Sequence, residues 1–223
     1  MEKEIDMART LYMQELESVR QNLIQMGETT IALLTEAIHT VSGDDSGSAE
    51  RASELEAKTD HQLRMIHDQC LSLITLQAPV ARDARLITGI LDAIVDLELI
   101  GDYAYEIVTI SESMEQRPPH PIMAQISDIG SRTRELLSMA IDGWRSEEAA
   151  QGLSVAPQSA AIRAECHMLF GKLSQLASAP GNAMPYVNLM LICRHLERIS
   201  RHAACVADQA SGTVPARNSY ANT

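Results

Sequence analysis

Leu97-Glu98-Leu99-Ile100-Gly101-Asp102-Tyr103-Ala104 is matched ninety-nine residues later by Leu196-Glu197-Arg198-Ile199-Ser200-Arg201-His202-Ala203. A shorter match, Ile66-His67-Asp68-Gln69-Cys70 against Ile162-Arg163-Ala164-Glu165-Cys166, lies at an offset of 96. The two matches keep their order, and the offsets differ by three (99 − 96), which fits a small insertion between the second and third helix of the later copy. The chain therefore reads as a duplication. Apolar residues in both copies recur three and four apart, the period of a helix buried on one side, so the repeated unit is helical.

Working outward, the rest of each copy follows the same period. Tyr12, Leu16, Val19, Leu23, Met26, Thr30, Leu33, Ala37 and Val41 form one stripe, which predicts a first helix over 3–41. Ser42-Gly43-Asp44-Asp45-Ser46-Gly47-Ser48 is a loop by composition. A second helix is expected over 49–76, with Leu55, Leu63, Ile66, Cys70, Leu73 and Ile74 inward and Thr59 among them. Pro79 ends it and suits the first turn of a third helix over 80–115. Pro118-Pro119-His120-Pro121 marks the middle of the chain. The later copy predicts helices over 122–144, 157–177 and 185–209. The fold class expected is all-α: two tandem antiparallel three-helix bundles related by a pseudo-twofold, over 1–117 and 118–210. The Gly/Pro/Ser/Asn-rich stretch 211–223 carries no period and is expected to be disordered.

Composition narrows the function. Hydrophobic residues make up 45% of the 223 residues but aromatics only 3%, so the core must be aliphatic, as in helix bundles. The net charge of −12 opposes approach to nucleic-acid phosphates and anionic lipid, which excludes nucleic acid as the expected partner. Cys70, Cys166, Cys193 and Cys205 lie in apolar helical patterns without zinc-knuckle spacing, as reduced buried thiols do. No apolar leader follows Met1 and no run reaches the length of a membrane span, so a cytoplasmic location is expected, with any membrane association through partners.

The chemistry-bearing residues are carboxylates. Glu98, Asp102 and Glu106 stand at i, i+4 and i+8 on the third helix, and Glu56 and Asp60 make a second such pair on the second. Like charges at this spacing repel unless something positive lies between them. Two antiparallel helices that each offer a pair can bring four hard oxygens together, the donors favoured by Mg, Mn, Ca or Fe. The alternative is a solvated acidic face. Glu36 and His39 have the E-x-x-H spacing of di-iron bundles, but those need a second such pair and two more Glu. His195 and His202 lie seven apart on one face of the last helix, where surface or core histidine is the plainer reading. Arg82 and Arg85, near the start of the third helix, suit either an acidic partner or neighbouring carboxylates. Gly101 suits either close approach of an ion or backbone, or packing at a helix crossing.

Gln77-Ala78-Pro79-Val80-Ala81-Arg82-Asp83-Ala84-Arg85, followed by Leu97–Ala104, resembles the signature of the PhoU family of phosphate-signalling regulators, and Leu196–Ala203 resembles its second copy. The resemblance extends from about residue 2 to about 210. It implies two three-helix bundles and metal clusters held by E/D-x-x-x-D pairs. It also implies a non-enzymatic role coupling phosphate uptake to a sensor kinase. Carried onto this chain, it makes Glu56, Asp60, Glu98 and Asp102 metal ligands for a divalent or trivalent ion (Fe, Mn, Mg or Zn). It makes Arg82 and Arg85 possible partner contacts. The partners implied are the ATPase of a phosphate ABC transporter and a membrane sensor histidine kinase, with a homodimer expected.

The later copy departs from the pattern. At offsets of 96 and 99, Gly152, Ala156 and Arg201 replace Glu56, Asp60 and Asp102, and Ser200 replaces Gly101. Glu197 and Arg201 instead have the order of a helical ion pair. Any metal is thus expected in the first bundle only. The alternatives to a phosphate-signalling regulator are a metal-binding or metal-storage bundle and a dimerising adaptor without metal.

Overall fold

The computed structural model of the chain describes residues 2–43, 47–77, 79, 81–116, 118, 120–146, 149–179, 181 and 183–211. Six helices follow one another: α1 (Glu2–Ser42), α2 (Ser48–Gln77), α3 (Ala81–Glu112), α4 (His120–Ser146), α5 (Ala149–Ala177) and α6 (Met184–Ala210). None of the described residues is in a strand. Beyond Ser211, the tail expected to be disordered lies outside the described residues.

Each helix is placed by its apolar stripe. Along α1 the predicted stripe is buried from Leu16 to Val41, with Thr30 returning its hydroxyl to the Met26 carbonyl at 3.0 Å. Gly43 ends the helix in the left-handed region at φ 80°, where its N–H reaches the carbonyls of His39 and Thr40. On α2, Ile74 departs from the expected face and is 40% exposed, since Leu73 beside it takes the core position. The largest correction is α5, which begins at Ala149, eight residues ahead of the expected start at Pro157. Pro157 sits inside that helix on its exposed side, while Val155 and Ser159 on either side of it are buried and anchor the turn. Proline's missing N–H leaves a carbonyl one turn back that water can satisfy only on such an exposed face.

Helices α1, α2 and α3 pack on one another, as do α4, α5 and α6. The two triplets then join through α1 against α4 and α3 against α6, and one continuous aliphatic core runs through both. The pseudo-twofold is visible in pairs of contacts. A Cβ on Gly27 would fall 2.2 Å from Ile141 Cδ1, and a Cβ on Gly130 would fall 2.9 Å from Ile38 Cγ1. A shift of 103 positions exchanges the two contacts: Gly27 corresponds to Gly130, and Ile38 of the second contact to Ile141 of the first. These two glycines let α1 and α4 approach closely, with each isoleucine filling the place of the missing side chain.

Candidate functional site: a carboxylate face on the first bundle

Glu56 and Asp60 on α2 and Glu98 and Asp102 on α3 are all half-buried. The helices carrying them cross at Gly101, which is fully buried. A Cβ there would meet Thr59 Cγ2 at 3.5 Å and Leu33 Cδ2 at 3.7 Å. Gly101 thus packs at a helix crossing, the second of the two readings open in the sequence. Thr59 lies between Glu56 and Asp60 in the sequence, as Gly101 lies between Glu98 and Asp102. The crossing therefore places the two carboxylate pairs beside one another.

Their electrostatics show that they act on one another. Burial, then Asp60 and Asp102, raise the Glu56 carboxyl above its ordinary value. Burial, then Asp102, Asp60 and Glu56, raise Glu98. Burial, then Asp60 and Glu106, raise Asp102. Every neighbour named is an acid on the same face, so the site carries negative charge that its surroundings do not balance. Asp60 pairs with Arg64 of its own helix at 3.5 Å. The donor set consists only of oxygens and suits a hard cation. Among the described residues, however, no group of three or more His, Cys, Asp or Glu side chains is arranged to hold a metal ion.

The corresponding place in the second bundle is neutral. Ser200 stands where Gly101 stands, and its hydroxyl lies 3.1 Å from that of Ser159, which also donates to the Ser200 carbonyl at 2.8 Å. Ser159 thus takes the part of Thr59, so at this crossing α2 and α5 align at an offset of 100, in place of the 96 read from the shorter sequence match. The carboxylate positions of α2 then fall on Ala156 and Ala160, both exposed. Glu197, the surviving acid, lies between two arginines, 2.5 Å from Arg194 and 3.9 Å from Arg201. The ion pair expected from the sequence is present, reinforced by a second arginine on the same helix.

Other candidates resolve into structure. Glu36 pairs with Arg51 of α2 at 2.9 Å. Arg82 and Arg85 are exposed. Cys70, Cys166 and Cys193 are free and buried, and burial pushes the Cys70 thiol up to about 11 and Cys166 to about 12. A polar cluster that sequence reasoning passed over joins α3 to α6. The ring of Tyr103 lies 5.6 Å from that of His195 and 5.9 Å from that of His202, with the Arg198 guanidinium 5.2 Å from its centre. Asp96 holds His202 Nδ1 at 2.8 Å and accepts from Gln209 Nε2 at 2.9 Å. The signal was present in the sequence: Asp96 and Tyr103 map onto His195 and His202 at the offset of 99, so polar groups recur where the stripe meets its own copy.

Fold and site together define a class, the duplicated three-helix bundle with an acidic face on one of its two halves. Residues 23–111 match the PhoU domain family. Along 91% of its length the chain is 29% identical to a phosphate-specific transport system accessory protein PhoU homolog from Synechocystis sp., of which 91% is covered. A Pseudomonas aeruginosa homolog of the same description is 28% identical over 87% of this chain and 81% of its own. The crystal structure of PhoU from Pseudomonas aeruginosa superposes with a TM-score of 0.85 at 27% identity, covering 89% of this chain and 96% of that one. The phosphate transport system regulatory protein PhoU from Streptococcus pneumoniae shares the fold, with a TM-score of 0.81 at 19% identity over 89% and 94% of the two chains. Residues 23–111 thus match the PhoU domain, and along about nine tenths of its length the chain is similar in sequence and fold to PhoU proteins.

Proposed function

We propose that this protein is a regulatory accessory of a phosphate-specific transport system and that it acts by binding its partners, without catalysis. The observation that carries the reading is the likeness in sequence and fold along about nine tenths of the chain to proteins described as accessories of that system. No described helix is long and apolar enough to cross a membrane, so contact with a membrane transporter would run through surface residues. Arg82 and Arg85, exposed near the start of α3, are the contacts assigned to an acidic partner surface, with the transporter ATPase and the sensor histidine kinase as the partners and a homodimer as the assembly.

The carboxylate face is the cation-responsive part of this reading. Glu56, Asp60, Glu98 and Asp102 would hold a hard divalent or trivalent ion in the first bundle only. The ion would supply the positive charge these acids lack. Because the side chains do not close into a ligand group, a hydrated ion such as Mg or Mn suits them better than Zn or Fe, which take tighter protein ligand sets.

The test is a deletion strain carrying a phosphate-starvation reporter, with affinity recovery of tagged protein from phosphate-replete cells. Derepression of the reporter in the deletion strain, with recovery of transporter or kinase components, is the expected result. Normal repression with neither component recovered overturns the reading. Metal content of the purified protein, compared with Asp102→Ala, tests the ion separately. An Asp102-independent content, or none, removes the ligand assignment and leaves the regulatory one standing.

A further inference from the structure

The seam between the bundles is polar at its α1–α4 margin, where Arg145 meets Glu28 and Arg20 reaches the Trp144 carbonyl, and on its α3–α6 side at the Tyr103 cluster. There α6 presents His195, Arg198 and His202 on one face, toward Asp96, Tyr103 and Glu106 of α3. The two ends of the cluster differ. His202 is bound to Asp96, whose second oxygen is held by Gln209, so that end is closed by hydrogen bonds. His195 at the other end has only 13% of its side chain exposed, and its Nδ1 lies 3.2 Å from a Glu106 oxygen. The contact is too poorly aligned to be a hydrogen bond, so Nδ1 is buried without a partner among the described residues.

We infer that this seam is a proton-sensitive latch: neutral His195, its ring tilted against that of Tyr103, holds α6 against α3, and protonation of its ring loosens that contact and so the set of one bundle against the other. The reason is what surrounds the ring. Glu106 of α3 is the acid facing it, but its side chain is 56% exposed and its attraction is screened by water. Arg194 and Arg198 flank it on α6 itself. From the other two helices packed on α6, Arg132 of α4 and Glu165 of α5 are spent on each other at 2.5 Å. A proton on His195 would thus place a third cation beside two others in a largely buried site, where it is poorly hydrated. Burial is accordingly the largest influence on this imidazole and holds its pKa below the ordinary 6.5, with Glu106 opposing and the two arginines reinforcing. Such a group stabilises the fold above its unfolded value, and that contribution is lost as pH falls through the folded one.

The experiment is an imidazole NMR titration of the full chain, with melting curves of wild type and His195→Gln between about pH 7.5 and about pH 5. His195 should titrate below 6.5. Arg198→Gln should move it up and Glu106→Gln further down, which a purely space-filling role would not do. The wild-type melting temperature should fall more than that of His195→Gln on acidification, by about 2 °C or more, while acid effects of the carboxylate face are common to both and cancel. Amide exchange, corrected for its intrinsic pH dependence, should quicken over residues 195–203 in wild type and not in the variant. Titration of His195 at or above the ordinary value, or superimposable pH profiles of the two proteins, overturns the latch. If His195→Gln does not fold, the wild-type titration and its two charge variants still decide the question.

Discussion

At the scale of single residues, the carboxylate face is a place where charge works against the fold. Glu56, Glu98 and Asp102 all bind their protons more tightly in the folded chain than ordinary carboxyls do. Groups of this sign add stability below their unfolded values and lose it as pH rises through the folded ones, so at neutral pH the face is a net cost. Glu98→Gln and Asp102→Asn are therefore expected to raise the melting temperature of ion-free protein at neutral pH, by about 1–3 °C once solvent screening is allowed for. Mg or Mn should stabilise wild type more than either variant, because an ion binds the charge that the variants have removed. Scanning calorimetry in chelator and then in added metal checks both, and an unchanged or lower melting temperature for the two variants would mean that the acids are already balanced. The pairing of these residues was legible from their i, i+4 spacing. The repulsion within each pair was legible too, but the repulsion between the pairs was not fixed by spacing, since it depends on the crossing of α2 and α3 at Thr59 and Gly101.

Among the helices, the glycines separate two kinds of contact that look alike in sequence. A methyl group at Gly27 would overlap the Ile141 side chain, whereas one at Gly101 would sit at ordinary van der Waals distance from Thr59 and Leu33. Overpacking costs about 1–3 kcal/mol, and replacing a helical glycine with alanine recovers about 1 kcal/mol. Gly27→Ala is accordingly expected to be destabilising by up to about 2 kcal/mol, and Gly101→Ala to be neutral or stabilising by up to about 1 kcal/mol. Urea denaturation of the two variants measures the contrast, which fails if Gly101→Ala is the more damaging. The helix positions themselves followed from periodicity and from Pro79 and Gly43. The early start of α5 did not, because a proline reads as a helix boundary unless the buried neighbours that carry the helix through it are known. Val155 and Ser159 find their partners only in the folded bundle.

Across the whole molecule the two bundles share one core. The gap where α1, α3, α4 and α6 meet, between Leu34, Ile38, Ile107, Ile126, Ile192 and Leu196, is about 10 Å³, room for about one water molecule at most. A seam packed this closely couples its halves, so the chain should melt in a single transition with equal calorimetric and van't Hoff enthalpies. A fragment ending at residue 117 should expose the apolar faces that α1 and α3 turn to α4 and α6, and should aggregate or bind a hydrophobic dye. Two resolved transitions, or a monomeric and cooperatively folded fragment, would show that the first bundle is an independent domain. The duplication was legible because each copy kept its apolar residues. The seam was legible only in part: the sequence gives no measure of which stripe meets which, and the contacts of Gly27 with Ile141 and Gly130 with Ile38 appear once the copies are paired in space.

The amino-acid order alone determined the helical class, five of the six helix spans to within a few residues, the twofold repeat and the loss of acids from its second half. Each of these rests on periodicity, on proline and glycine, or on residue identity, which act locally along the chain. The folded arrangement decided the rest: that four acids share one face, that Glu197 lies between two arginines, and that Tyr103, His195 and His202 meet across the seam. Those facts depend on distances between helices far apart in sequence, and such distances are set by how side chains fill the space between helices.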